Sequence, residues 1–73
     1  MKTTLCLEMI GSERERQNSK HPEPLRDTFH GMLVLMEEVG EAAQAIEDGS
    51  YEEIVSEITQ VAAVAVRIME ELL

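Results

Sequence analysis

The chain has 73 residues, 44% of them hydrophobic, and 15 acidic against 6 basic side chains give it a formal charge of −9. That length allows one domain at most, near the lower limit at which a single core suffices, and the apolar content excludes a chain disordered by composition. Phosphate backbones require clustered Lys and Arg, so the charge excludes a nucleic-acid polymer as the main partner.

Phe29 and Tyr51 are the only aromatic residues. A core of Leu, Ile, Val, Met and Ala implies thin helix–helix packing, which a partner chain would extend. Cys6 stands alone, which rules out an intrachain disulfide or a cysteine metal cluster and makes a reducing cytosol the default. It reads as a small hydrophobe rather than a nucleophile. In "MKTTLCLEMIGSERER" the apolar run is interrupted at Glu8, too early for a signal-peptide core. No run reaches transmembrane length. The expectation is a soluble, cytoplasmic protein with no membrane partner.

Three helices are predicted, and no strand-like alternation. The first spans about Thr3–Gln17, with Leu5, Met9 and Ile10 as its apolar stripe and Gly11 as a weak point. "NSKHPEP" breaks the pattern, because Pro22 and Pro24 disfavour a continuing helix. The second spans about Leu25–Glu47, and Asp48–Ser50 supply the turn. Ser50 is the N-cap of the third helix, with Glu53 three residues on completing a capping-box pattern. The third helix runs to near Leu73.

Val61–Val66 is six apolar residues in a row. At about 100° per residue they cover the full circumference of a helix. Met32–Met36 does nearly the same on the second helix. The expected architecture is therefore all-α: a single domain over 1–73, with a short helical hairpin and an N-terminal helix. Helices two and three would be central and would oligomerise into a four-helix-bundle core.

Glu38 and Glu41 share one helix face, being spaced i, i+3, and Glu57 and Gln60 have the same spacing. Glu41 and Glu57 lie eight residues either side of Gly49, and Glu38 and Gln60 lie eleven. In an antiparallel hairpin, equal distances from the turn place residues side by side. Val39, Ala42, Ile58 and Val61 flank the four, so three carboxylates would meet among core-type residues. They stay ionised there only with a counter-charge, and a hard divalent cation with oxygen ligands supplies it. Glu47, Glu52, Glu53, Glu70 and Glu71 read as solvated helix faces.

"EEVGE" at Glu37–Glu41 followed by "EITQ" at Glu57–Gln60 resembles the EExxE…ExxD signature of the MazG-like all-α nucleoside triphosphate pyrophosphohydrolases. The resemblance covers about Met32–Leu72 and extends loosely to "ERERQ" at Glu13–Gln17. It implies a helical homodimer or tetramer that uses Mg²⁺, with Mn²⁺ as an alternative, to cleave nucleoside triphosphates to monophosphate and pyrophosphate. Glu38, Glu41 and Glu57 match metal ligands. Glu37 matches the first glutamate of the motif and sits about 100° round the helix from Glu38, in a supporting or base-like position. Gln60 stands where the pattern has Asp; its amide oxygen can ligate Mg²⁺ but carries no charge.

Arg67 lies two helical turns beyond Gln60, where it could meet a phosphate or pair with Glu70 or Glu71. Arg14, Arg16, Lys20 and His21 could form a positive rim over the site or, as often, be merely surface charge, and Arg16 and Lys20 are phosphate-binding candidates with Arg67. His30, outside the acidic pattern, reads as structural. The leading reading is an Mg²⁺-dependent nucleotide pyrophosphohydrolase of the house-cleaning type. The alternative is a weak or inactive MazG-like dimer serving as a binding or interaction module. A carboxylate di-iron bundle is disfavoured because the Glu-x-x-His ligand motif is missing. With two aromatics and no Trp, no stacking platform identifies the base.

Overall fold

A computed structural model describes all of Met1–Leu73 as three helices, α1 (Thr3–Lys20), α2 (Thr28–Asp48) and α3 (Tyr51–Leu72), with no strands. The fold is all-α, and no helix is long and apolar enough to cross a membrane.

α1 runs three residues further than its expected end at Gln17. Arg14 Nη2 donates to Asn18 Oδ1 at 2.7 Å, one turn ahead, and the helix stops at His21, the residue before Pro22. Gly11 does not interrupt it. α2 begins at Thr28 rather than Leu25, because Asp27 is its N-cap and accepts the His30 N–H at 2.7 Å. Such a cap is worth about 1 kcal/mol. Leu25 and Arg26 stay outside the helix, and the Leu25 N–H donates to Glu71 on α3 at 2.9 Å. Ser50 caps α3 as expected, accepting the Glu53 N–H at 3.2 Å. The reciprocal bond of a capping box does not form.

α2 and α3 make the expected antiparallel hairpin. Its register is visible at Gly31, where an added Cβ would lie 3.0 Å from Ile68 Cγ1 and 3.0 Å from Leu25 Cδ1. Gly31 and Ile68 stand eighteen and nineteen residues from Gly49, so mirrored positions face each other within one residue. The missing side chain lets the two helices close at the open end of the hairpin.

Within the single chain, helices two and three do not share the centre. α1 and α2 both pack on α3, and no Cα of α1 comes within 8 Å of one in α2. α3 alone is central. This accounts for the all-round apolar run: Ala63 and Val64 are buried, and Val61, Ala62, Ala65 and Val66 are half-buried. The three helices cover more of that run than its pattern suggested. The core is small, with Ala42, Ala45, Ala63, Val64 and Ile68 as its buried apolar residues.

Two strips of α3 remain between the helices that flank it. At about 100° per residue, Ser56, Gln60 and Arg67 fall on one strip, which is polar. Ile54, Ile58, Val61 and Ala65 fall on the other, which is apolar. On the apolar side, Met32, Val39, Ile46 and Ile58 are 44–62% exposed. Phe29 and Met36, at 72% and 66%, lie on the outer face of α2. Cys6 is exposed too and lines a groove with Met9, Tyr51 and Ile58.

Candidate metal centre

The hairpin brings Glu38, Glu41 and Glu57 together, each offering an oxygen within 4.8 Å of the others. Glu38 and Glu57 are half-buried and Glu41 is exposed at the mouth. Glu38 Oε2 and Glu57 Oε2 are fully buried and accept no hydrogen bond. A buried acceptor without a donor costs on the order of 1–3 kcal/mol, more when charged. Nothing cationic comes from the stretch of the hairpin around the cluster. From Gly31 to Val66 there are eight acidic residues and no Lys, Arg or His.

The Glu38 carboxyl is pushed above its ordinary range, first by burial and then by the charges of Glu41, Glu57, Glu13 and Glu37. Glu13 shifts the other way, held down chiefly by its hydrogen bonds from Arg16. Arg16 Nε and Nη2 donate to the two Glu13 oxygens at 2.8 and 2.6 Å. Glu38 in turn raises the Arg16 pKa, after Glu13, so this pair on α1 lies within electrostatic reach of the acidic cluster. Glu13 was missed as a neighbour of the site. The only signal for it was its place in "ERERQ", one turn before Gln17.

Gln60 is half-buried on α3, and its Nε2 donates to Ser56 Oγ at 3.4 Å. Glu37 is exposed beside Glu38. Arg67 takes the pairing alternative: Nη2 donates to the Glu23 carbonyl at 2.6 Å, and Nε lies 3.7 Å from Glu71 Oε2. Lys20 is exposed at the end of α1 and forms no ion pair. Arg14 leaves the expected positive rim altogether. It is buried against α3, where Nε donates to Glu70 Oε1 at 2.8 Å. Glu70 is thus a partner across helices rather than a purely solvated residue.

The donor set fits a hard divalent cation. Oxygens sharing one Mg²⁺ at 2.0–2.1 Å lie within about 4.2 Å of each other, so the three carboxylates need only a slight contraction. The two orphaned oxygens are the acceptors such an ion would satisfy. Comparison with protein-family models, with curated proteins and with solved structures gave no match.

A stability test follows from Glu38. Its raised pKa means that the folded chain holds this proton more tightly than the unfolded chain does. The resulting stabilisation is complete below the unfolded value of about 4.3 and is lost as pH rises through the folded value. Glu38→Gln removes that loss. In chelator, its melting temperature should exceed that of the parent at pH 7, with the advantage gone near pH 4. Thermal denaturation followed by circular dichroism at the two pH values checks this.

Proposed function

We propose that the chain is an Mg²⁺-dependent nucleotide pyrophosphohydrolase of the MazG-like type, cleaving nucleoside triphosphates to monophosphate and pyrophosphate in the cytoplasm. The observation that carries this reading is the buried, donor-free pair of carboxylate oxygens on Glu38 and Glu57, converging with Glu41. A solvated acidic helix face would leave those oxygens to water. The same three positions are those matched to the metal ligands of the resembled motif.

Glu38, Glu41 and Glu57 would hold the ion, with the Gln60 amide oxygen as a neutral fourth ligand; Mn²⁺ suits the same donors. When bound, the ion supplies charge neutralisation and polarises a phosphoryl oxygen. Glu37, exposed at the rim, accepts the proton of the attacking water. Arg16, whose Nε and Nη2 are held by Glu13, would offer Nη1 to the phosphate chain from α1. Positioning and electrostatics account for the catalysis, since phosphoryl transfer asks little covalent chemistry of the protein.

The active form is a homodimer or tetramer in which the apolar face of the hairpin meets its copy to complete a four-helix core. Support comes from the exposure of Met32, Val39, Ile46 and Ile58 on one side of α2 and α3. An 8.2 kDa chain with eight buried residues has little core of its own.

Gln60 separates this reading from its alternative, a weak or inactive dimer serving as a binding module. Gln60→Asp restores a fourth charge and should tighten Mg²⁺ binding by about tenfold, the order of one charge-assisted contact. Isothermal titration with Mg²⁺ measures this. Unchanged affinity would remove Gln60 from the metal site. Activity gained only in Gln60→Asp would favour the binding module.

A further inference from the structure

One to two turns from the acidic cluster, the hairpin opens into a cavity of about 290 Å³ whose lining includes His21, Glu23, Pro24, His30, Val34 and Arg67. In a chain of charge −9, this is a local gathering of donors. Arg67 is anchored by the Glu23 carbonyl through Nη2 and by Glu71 near Nε, which leaves Nη1 without a partner. His30 Nδ1 accepts the Arg26 N–H at 3.3 Å, which fixes the tautomer with the proton on Nε2 and leaves that donor unused. His21 forms no side-chain hydrogen bond and adds a second imidazole. Three donors with nothing in the chain to satisfy them therefore line one concavity.

We propose that this cavity is a phosphoryl-binding subsite that takes pyrophosphate. Its placement suits the proposed reaction, on which the assignment rests. His30, Val34 and Glu38 follow one another at i, i+4 and i+8 on α2, so the cavity lining runs from about 6 to about 12 Å from Glu38 along the helix. Arg67 lies seven residues, roughly 10.5 Å, beyond Gln60 on the polar strip of α3. The acidic cluster and the donor cavity thus occupy successive positions along one side of the hairpin. A cation at the first would neutralise the bond being cleaved, while the second receives the two phosphates that leave. The charge pattern agrees, because the segment from Gly31 to Val66 has no cation and the donors begin immediately outside it. Glu23 lines the same cavity, and its carboxylate would repel an anion held there.

The test uses inorganic pyrophosphate without metal, followed by calorimetry and by the imidazole NMR signals of His21 and His30. Binding at one site per chain should shift both histidines. His30→Gln and His21→Ala should each weaken it by about tenfold, the loss of one hydrogen bond to a charged acceptor. Glu23→Gln should tighten it. Unmoved imidazole signals, or unchanged affinity in His30→Gln, would overturn the assignment. A parallel Mg²⁺ titration keeps the two proposals apart. Mg²⁺ bound at Glu38, Glu41 and Glu57 with no pyrophosphate response would defeat the subsite alone. Pyrophosphate bound with no Mg²⁺ response would defeat the metal-dependent function and leave the subsite standing.

Discussion

Glu57→Ala is expected to abolish pyrophosphate release, by on the order of a hundred- to thousandfold or more, while leaving the chain folded. Glu57 contributes the α3 carboxylate of the cluster, and its Oε2 is one of the two buried oxygens that accept nothing. Removing it would take away a charged ligand of the proposed ion that no neighbour on α3 replaces, since Gln60 is neutral. Loss of one preorganised charge at a phosphoryl-transfer site costs several kcal/mol of transition-state stabilisation. Folding should survive because the variant also removes a buried, unsatisfied oxygen and one source of repulsion on Glu38. Circular dichroism establishes the fold, and release of pyrophosphate from a triphosphate panel gives the activity. Turnover that persists in folded Glu57→Ala would place the chemistry elsewhere.

The second large effect concerns assembly. If the proposed oligomer forms, Ile58→Glu, and independently Val39→Glu, should convert it to a monomer and lower its melting temperature. Each residue is 49% exposed on the apolar side of the hairpin, so neither is locked into the core of a single chain. Burying the exposed half of such a side chain against a copy stabilises by roughly 0.7–1.5 kcal/mol. A glutamate placed there would instead face its symmetry mate as a desolvated like charge. Light scattering across the micromolar range reports the change. Monomeric parent protein with full thermal stability would remove the basis for the four-helix core.

The hairpin and its acidic cluster were legible because local rules and symmetry about the turn agree. Ser50 fixes the start of α3, and once Gly49 is the pivot, Glu41 and Glu57 must face each other. The start of α2 was less legible. Leu25 continues an apolar pattern backwards, and only the Asp27 carboxylate, three residues before His30, marks the true boundary. The role of Arg14 could not be read from its neighbours. "ERER" looks like a solvated charge run, but Arg14 is buried by a partner 56 residues away, Glu70. The centrality of α3 was hidden for the same reason. A run such as Val61–Val66 states that both sides of a helix are covered, and it does not say whether α1 or a second chain does the covering. The donor cavity was obscured because His21, His30 and Arg67 meet only after the Pro22–Pro24 connection folds across the end of α3.

The most direct measurement is pyrophosphate release by the parent protein from a panel of standard and damaged nucleoside triphosphates, with Mg²⁺ present and then withdrawn by chelator. Monophosphate and pyrophosphate should appear in equal amounts from at least one triphosphate, only while Mg²⁺ or Mn²⁺ is present. Failure to release pyrophosphate from any triphosphate, from folded protein with saturating Mg²⁺ or Mn²⁺, would contradict the enzyme reading.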